Sequence, residues 1–304
     1  MANAYIVNGR NPSDSVGDFQ SFSSISAGHV AQLGQLYYEQ YLFDQKLRLK
    51  LGKADTNADF AAPDSSGEFT HSASAFSPTT FSMATYPNPA TCIAAFWQPN
   101  ESWYASVGVY DGATNAGYNT GGRGPSTFFG APSDLFLIGE AGFRWTSGKD
   151  DLAGRFSVGG WRHTGDFDRF TGGTEDGTGG WYVIADHEVA RLSGDEGGTL
   201  AAFLQWGSAD EEVAEVNKHF GAGFALNGCC GRSDDSLGMY VSSVGFSEGA
   251  ATSADTETAF EAYYKWQARS WCVVKPDLQF ITNPGGDAAL EDAFVLSLRL
   301  QVDF

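Results

Sequence analysis

The last twelve residues, 293–304, alternate between apolar and polar side chains, and only Val295 interrupts the alternation. The apolar positions are Phe294, Leu296, Leu298, Leu300, Val302 and Phe304, and the polar ones are Ser297, Arg299, Gln301 and Asp303. A period of two indicates a β-strand, because successive side chains point to opposite faces. The pattern therefore predicts a strand that separates an apolar environment from water and runs to the last residue.

A hairpin is predicted around Asp44 and Gln45, between the segments 35–43 and 47–51. A turn at these two residues places Tyr38, Gln40 and Leu42 opposite Leu51, Leu49 and Leu47. On the other face it places Glu39 opposite Lys50 and Tyr41 opposite Arg48. One register thus gives a mostly apolar face and a charged face, and this agreement between turn and pattern favours the hairpin.

Similar patterns predict the remaining strands along the chain. They lie at 92–97, 103–110, 135–145, 155–163, 181–189, 199–207, 219–226, 237–246, 258–268 and 271–281, with a fragment at 5–7. With the hairpin and the last strand, the count is about fourteen. We find no strong helix, fixed-period repeat or domain boundary, so residues 1–304 are expected to form one domain.

The predicted connections alternate in length. Short turns fall at 44–45, 98–101, 146–153, 191–198, 227–235 and 269–270. Longer loops fall at 55–90, 111–133, 164–180, 208–217, 247–257 and 282–291. This rhythm is typical of a transmembrane, antiparallel, up-and-down β-barrel, which has short turns at one rim and long loops at the other. Greek-key crossings in a β-sandwich would not keep it.

Composition agrees with an all-β membrane protein. No run approaches the roughly 18 to 20 apolar residues that a membrane helix requires. The chain of 304 residues contains 38 glycines and 14% aromatic residues. Abundant turns and aromatic girdles at the membrane interfaces would account for both excesses. Trp103, Trp145, Trp206 and Trp266 are interpreted as interface anchors rather than ligand contacts.

The net charge is −19, from 18 basic and 37 acidic residues. A nucleic-acid partner is therefore not expected, because such proteins carry basic surfaces. The acids cluster in the predicted loops, where solvated charge is the simplest interpretation. A cation-bridged contact with lipopolysaccharide is the alternative. These acids are Asp166, Asp168, Glu175, Asp176, Asp195, Glu196, Asp210, Glu211, Glu212 and Glu215.

No metal site or cofactor is predicted. The four cysteines, Cys92, Cys229, Cys230 and Cys272, lack zinc spacing, and three disulfide pairings remain open. A calcium loop fails because its sixth position, counted from Asp55, is not glycine.

Catalytic residues are also not predicted. His187-Glu188 starts a zinc-protease motif, but Arg191 stands where the second histidine is required. Glu39, Glu140 and Glu261 face the same side, yet no nucleophile and base can be assembled around them.

Several segments together resemble the carbohydrate-selective porin family (OprB-type) of Gram-negative outer membranes. They are LYYEQYLFDQKLRLKLGKADTNADFA (36–61), QPNESWYASVGVYDG (98–112), KPDLQFITNPGG (275–286) and VLSLRLQVDF (295–304), with VGDFQSFSSI (16–25) ahead of the first. The segments occur in the family's order and cover nearly the whole chain.

The resemblance implies a sixteen-stranded barrel in the outer membrane that admits mono- or oligosaccharides by passive diffusion. The family also carries a signal peptide and further N-terminal strands, whereas residues 1–12 have neither a basic start nor an apolar core. We therefore expect the chain to lack its N-terminal strands. The surroundings are expected to be outer-membrane lipid and lipopolysaccharide, and monomer and homo-oligomer both remain open.

Inward-facing polar residues are the candidates for lining the pore and contacting sugars. Hydroxyl-rich sugars require hydrogen-bonding groups and aromatic faces, and binding must stay weak for transport. The candidates are Glu39, Tyr41, Arg48, Lys50, Glu261, Lys265, Arg299 and Gln301. Generic pore lining and salt bridges within the wall are the simpler interpretation of each.

Two other functions were weighed. A soluble acidic β-sandwich that binds carbohydrate would bury its apolar strand faces between two sheets and need no detergent. An outer-membrane enzyme on a barrel would need the catalytic constellation that the sequence does not provide.

Overall fold

The computed structural model describes residues 1–192 and 198–303. The strands are β1 (Ala2–Val7), β2 (Val30–Leu42), β3 (Leu47–Ala54), β4 (Ala90–Trp97), β5 (Trp103–Asp111), β6 (Leu135–Ser147), β7 (Leu152–Asp168), β8 (Thr174–Arg191), β9 (Thr199–Ala209), β10 (Val216–Cys229), β11 (Arg232–Phe246), β12 (Thr256–Arg269), β13 (Cys272–Thr282) and β14 (Ala293–Val302). They form one antiparallel sheet in strictly consecutive order, as the sequence pattern predicted. Among the described residues, β1 pairs with β2 alone and β14 with β13 alone.

In the part of the chain that the structure describes, helical structure is confined to single turns. There are three short α-helices, α1 (Ser13–Val16), α2 (Ser72–Ala75) and α3 (Ser126–Phe129), among the described residues. Separate 3-10 turns lie at Asp64–Ser66, Thr120–Gly122 and Pro284–Gly286. Within residues 1–192 and 198–303, no helix has the length and apolar character needed to cross a membrane.

The hairpin of β2 and β3 has the predicted register, including Glu39 opposite Lys50. The Lys46 amide donates to the Phe43 carbonyl (3.2 Å), and Asp44 and Gln45 have positive φ angles of 53° and 66°. Two such residues in succession make the turn whose twist matches the right-handed twist of the flanking strands.

The outward face of the sheet is apolar and exposed. In β14, Phe294, Leu296 and Leu298 keep 68–75% of their surface accessible, whereas the alternate side chains turn inward. A β-sandwich would bury such a face against a second sheet. The sandwich hypothesis is therefore wrong.

Many predicted strand ends differ from the structure. The prediction of a long loop at 164–180 is wrong. β7 continues to Asp168 and β8 begins at Thr174, so the two strands still pair there, with Phe167 opposite Glu175. Strand pairing uses backbone groups, so strands can extend into water without the apolar alternation that marked their membrane portions. β14 ends at Val302, and Phe304 lies outside the described residues.

The predicted turn at 191–198 lies mostly outside the described residues. This holds for its residues 193–197, which include Asp195 and Glu196.

Two long connections fold against the inner face of the sheet. We call residues 8–29 the first inner segment and residues 55–89 the lumen loop. The lumen loop bonds inward-facing side chains from β3 to β13, including Lys50, Glu140 and Lys275. A single loop can reach so many strands only because the sheet curls around it.

The apolar core lies inside the curled sheet, between wall and loop. One cluster centres on Phe60 of the lumen loop and includes Tyr110 and Phe136 of the wall. A second surrounds Phe69, and a third places Phe22 of the first inner segment against Ile281. The sequence predicted a long external loop at 55–90, and it predicted the inward folding of neither this loop nor the first inner segment.

Candidate functional site

The lumen loop is held by three acidic side chains, and two basic residues of the wall bind each of them. We call these arrangements the three clamps. In the first, Asp59 accepts from Arg48 Nη2 at Oδ1 (2.7 Å) and from Lys50 Nζ at Oδ2 (2.5 Å). Glu39 of β2 also binds Arg48 Nη1 (2.7 Å). Both cations project inward from β3, two positions apart, so the strand itself sets their spacing.

The second clamp binds Asp64, at the start of a 3-10 turn in the loop. Arg155 Nη1 of β7 lies 3.0 Å from Asp64 Oδ1, and Arg144 Nη1 of β6 lies 3.1 Å from Oδ2. Arg155 also donates through Nη2 to Asp186 of β8 (2.9 Å) and to the Ala62 carbonyl (2.5 Å). This guanidinium therefore joins two wall strands to the loop.

The third clamp binds Glu68. Lys265 Nζ of β12 lies 2.7 Å from Glu68 Oε1, and Lys275 Nζ of β13 lies 3.5 Å from Oε2. The Lys275 ammonium also donates to the Glu68 carbonyl (2.5 Å). The three clamps thus attach one loop to widely separated parts of the wall.

The clamps differ in burial, and this decides their energetic weight. The side chains of Lys50 and Asp59 are only 3% and 5% exposed, whereas that of Asp64 is 46% exposed. Removing one partner of a buried pair leaves an uncompensated charge and costs about 3–5 kcal/mol, but exposed pairs contribute about 0–1 kcal/mol. The first clamp therefore dominates.

Two wall carboxylates bind the loop through its backbone. Glu140 of β6 accepts from the Ala61 amide (3.1 Å) and from the hydroxyls of Tyr104 and Tyr182 (both 2.8 Å). Glu261 of β12 accepts from the Thr70 amide (2.5 Å), the Thr70 hydroxyl (2.8 Å) and the His71 amide (3.1 Å). These bonds satisfy backbone donors in a loop that lacks regular structure.

The first inner segment is held in the same way. Glu257 of β12 accepts from the amides of Phe19 (2.7 Å), Gln20 (3.0 Å) and Gly285 (2.6 Å). Gln279 of β13 donates to the Phe22 carbonyl (2.8 Å). Both inward-folded connections are therefore fixed parts of the lumen.

His71 is completely buried between the lumen loop and the wall. Burial lowers its pKa from the ordinary 6.5 to about 3, because desolvation disfavours the imidazolium ion. Its Nδ1 accepts from the Ala73 amide (3.3 Å), so the neutral ring carries its proton on Nε2. The Tyr240 ring and His219 lie beside it, and the Glu261 carboxylate accepts from the His71 backbone amide.

Five of the eight predicted pore residues belong to the clamps or bind the lumen loop, and the other three do not. Glu39, Arg48, Lys50 and Lys265 belong to the clamps, and Glu261 binds the loop backbone. Tyr41 is half-exposed near the hairpin turn, and Gln301 is exposed beside Asp303. Arg299 makes no hydrogen bond or ion pair with any described residue. Contact with sugar stays a prediction for all eight.

Sequence reasoning missed the loop acids and several of their partners. Asp59, Asp64 and Glu68 are four or five residues apart in a connection rich in small residues, and this spacing could have drawn attention. Their partners, however, lie on strands that only the folded sheet brings near them. The missed cations are Arg144, Arg155 and Lys275.

All four cysteines are free, with Cys229 ending β10 and Cys230 in the following turn. Among the described residues, no group of three His, Cys, Asp or Glu side chains is placed to bind a metal ion.

A comparison with protein families matches residues 1–304 to the family model described as "Carbohydrate-selective porin, OprB family". The chain belongs to this family. The porin is 24% identical to Porin B of Pseudomonas aeruginosa, over 98% of this chain and 75% of that protein. It is therefore a porin of the Gram-negative outer membrane.

Solved structures show the same fold. Pseudomonas putida OprB at high pH matches with a TM-score of 0.84 and 20% identity, covering 98% of this porin and 80% of that chain. A loop-deleted OmpT from Vibrio cholerae matches with a TM-score of 0.51 and 12% identity, covering 90% and 80%. The sheet of fourteen strands is thus the wall of a porin barrel, and family and fold are those of channels.

Proposed function

We propose that this porin conducts neutral mono- or oligosaccharides passively across the outer membrane, and that its lumen loop forms the constriction. The observation that carries the proposal is the set of three clamps. They fix a loop across the lumen and neutralise the wall cations beside it. A neutral solute in the constriction then meets hydrogen-bonding groups, and no excess of positive or negative side chains dominates there. An ion finds no unpaired side chain of opposite charge in the clamps to attract it.

Residues that are not engaged by the loop are the best candidates for direct contact with sugar. We assign this role to Tyr41, Arg299 and Gln301, because none of the three forms a hydrogen bond or ion pair with a described residue of the lumen loop. Glu39, Arg48, Lys50, Glu261 and Lys265 line the lumen too, but their protein partners occupy them. Their proposed role is to position the loop, and thereby to set the width of the channel.

Catalysis is not part of the proposed function. Glu140 and Glu261 are occupied by three donors each, and Glu39 is paired with Arg48. A general base needs a free lone pair within reach of its substrate. We further propose that residues 1–304 belong to a single barrel domain and that the protein uses no cofactor.

The test uses the porin extracted from outer membranes in detergent and inserted into planar bilayers. Ion current is recorded while glucose or maltose is added, and swelling of loaded liposomes gives the permeation rate. We expect sugars to reduce the current in a saturable way and to cross the membrane. If ions pass but sugars neither reduce the current nor cross, the porin fold stands and sugar selection is refuted.

A further inference from the structure

The first inner segment and the lumen loop together enclose a cavity of about 420 Å³, between residues 19–26 and 55–86. Hydrogen bonds around the cavity join the first inner segment to the lumen loop. The Ser72 amide donates to the Ser21 carbonyl (2.9 Å), the Ser24 amide to the Thr70 carbonyl (2.7 Å), and the Tyr86 hydroxyl to the Ile25 carbonyl (2.9 Å). The cavity therefore has fixed walls, and both segments that line it are bonded to inward-facing side chains of the wall.

Aromatic rings line the cavity, and other rings hold them in place. Phe81 is 41% exposed, yet its ring packs edge-on against Trp161 at 5.4 Å and Phe167 at 5.9 Å. Phe19 is 37% exposed and meets Phe246 edge-on at 5.6 Å. Both rings are anchored at their edges while part of their surface faces the cavity. The C–H side of a pyranose ring packs on such surfaces.

Five serines belong to the polar part of the lining. The hydroxyl groups of these serines make no hydrogen bond to a described residue. Each hydroxyl can donate one hydrogen bond and accept two, which matches the hydroxyl groups of a sugar. The five are Ser21, Ser23, Ser24, Ser26 and Ser72.

Charge decides which sugars fit. Among the described residues that line the cavity there is no lysine or arginine, and Asp55 is the one charged residue. Its carboxylate already accepts from the Thr85 hydroxyl (2.7 Å), the Asn57 amide (2.9 Å) and the Tyr86 amide (3.1 Å). A phosphate or carboxylate group in the cavity would meet an anion and no cation, at a cost that a neutral sugar avoids.

We propose that this cavity is a binding site for one or two neutral pyranose rings on the permeation path, with Phe81 as its stacking surface and the serine hydroxyls as its hydrogen-bonding wall. The volume lies at the small end of ligand pockets, which span about 300–1,000 Å³. The inference rests on the proposed function and makes it more specific. It locates recognition at the two inward-folded connections rather than on the strands, and it excludes phosphorylated and acidic sugars.

The experiment measures the sugar concentration that halves the ion current in planar bilayers, for the intact porin and its variants. Phe81→Ala and the double variant Ser24→Ala/Ser26→Ala are expected to raise this concentration for glucose or maltose roughly three- to tenfold. The matched controls are Phe129→Ala, on an exposed ring outside the cavity, and Ser65→Ala, elsewhere in the lumen loop. Both should leave the value unchanged.

Charge and folding are tested in parallel. Glucose 6-phosphate is expected to reduce the current of the unmodified porin far less than glucose does. The sugar-free conductance of every variant shows whether the channel is intact. If Phe81→Ala fails to assemble, Phe81→Leu keeps an apolar side chain without the ring and should show the same weakening.

The outcomes separate the two proposals. No response of the unmodified porin to any neutral sugar would refute the proposed function itself. A normal sugar response that Phe81→Ala, Phe81→Leu and the serine variant all retain would overturn only the cavity. Equal half-blocking concentrations for glucose and glucose 6-phosphate would overturn its preference for neutral sugars.

Discussion

The Nζ atom of Lys50 lies 2.5 Å from Oδ2 of Asp59, and both side chains are almost completely buried. Lys50 belongs to β3, whereas Asp59 belongs to the loop that leaves the same strand and turns back into the lumen. The ammonium also faces the ring of Tyr37 at 4.3 Å, which gives it an aromatic surface besides the carboxylate. This contact anchors the lumen loop where it enters the channel.

Asp59→Asn should therefore destabilise the porin by about 3–5 kcal/mol, because the buried Lys50 would lose its closest counter-charge and keep only Glu39, 3.9 Å away. Asp64→Asn is the matched comparison, since Asp64 is 46% exposed and its pairs are screened by solvent. Its cost should be below about 1 kcal/mol. Denaturant unfolding in detergent measures both. Equal losses for the two variants would contradict the ranking of the clamps.

The buried His71 predicts a loss of stability in acid. Its pKa is about 3 in the folded protein and near 6.5 when unfolded, so the unfolded chain binds more protons between these values. Stability from this residue is fully present above pH 6.5 and falls as the pH drops toward 3, by about 1.4 kcal/mol per pH unit within the window.

The measurement is denaturant unfolding at pH 7, 5.5 and 4.5. His71→Gln removes the titrating group while keeping a polar side chain, and it should flatten the pH dependence relative to the unmodified porin. An unmodified porin that becomes more stable on acidification, or a variant that shows the same slope, would show that His71 is not the source.

Arg299 predicts a change in ion selectivity. It projects inward from β14 and interacts electrostatically with the carboxylates of Asp277, Glu261 and Glu68, but it makes no ion pair with a described residue, so no direct contact neutralises its charge. Arg299→Gln should shift the permeability ratio toward cations by about twofold. Arg269→Gln, at the turn after β12, is the matched control and should have little effect. Reversal potentials in asymmetric KCl report the ratio, and an unchanged value for Arg299→Gln would argue against free charge at this position.

Phe69 predicts where the lumen loop gains its packing energy. Its ring contacts Tyr263 at 4.9 Å, Tyr240 at 5.5 Å and Phe203 at 5.7 Å. Phe69→Ala should cost about 3–5 kcal/mol, as expected for a buried aromatic residue. Phe294→Ala, on the outward face of β14, is the comparison and should cost less because its ring has no protein packing on one side. Unfolding in detergent distinguishes the two.

The sequence determined the strand pairing well wherever two independent patterns agreed. Around Asp44 and Gln45, the turn and the alternation fix the same register, because a slip by one residue would expose Glu39 and Lys50 to lipid. Strand ends were less predictable. The end of β7 and the start of β8 keep their backbone pairing without a regular apolar alternation, as at Phe167 opposite Glu175.

The lumen loop could not be predicted because its partners are set by tertiary structure. Asp59 and Glu68 are close in sequence, but their cations come from β3 on one side and from β12 and β13 on the other. Inward-facing Arg48 and Lys265 were correctly expected on the polar face of their strands. What they contact depends on where a connection of 35 residues folds, and no local pattern encodes that path.

The central claim is that charge clamps hold the lumen loop across a sugar channel. The most direct test is the single-channel conductance and sugar block of the triple variant Asp59→Asn/Asp64→Asn/Glu68→Gln, compared with the unmodified porin in the same bilayers. Release of the loop should raise the conductance and raise the sugar concentration needed for half-block. A folded triple variant with unchanged conductance and unchanged sugar block would contradict the account.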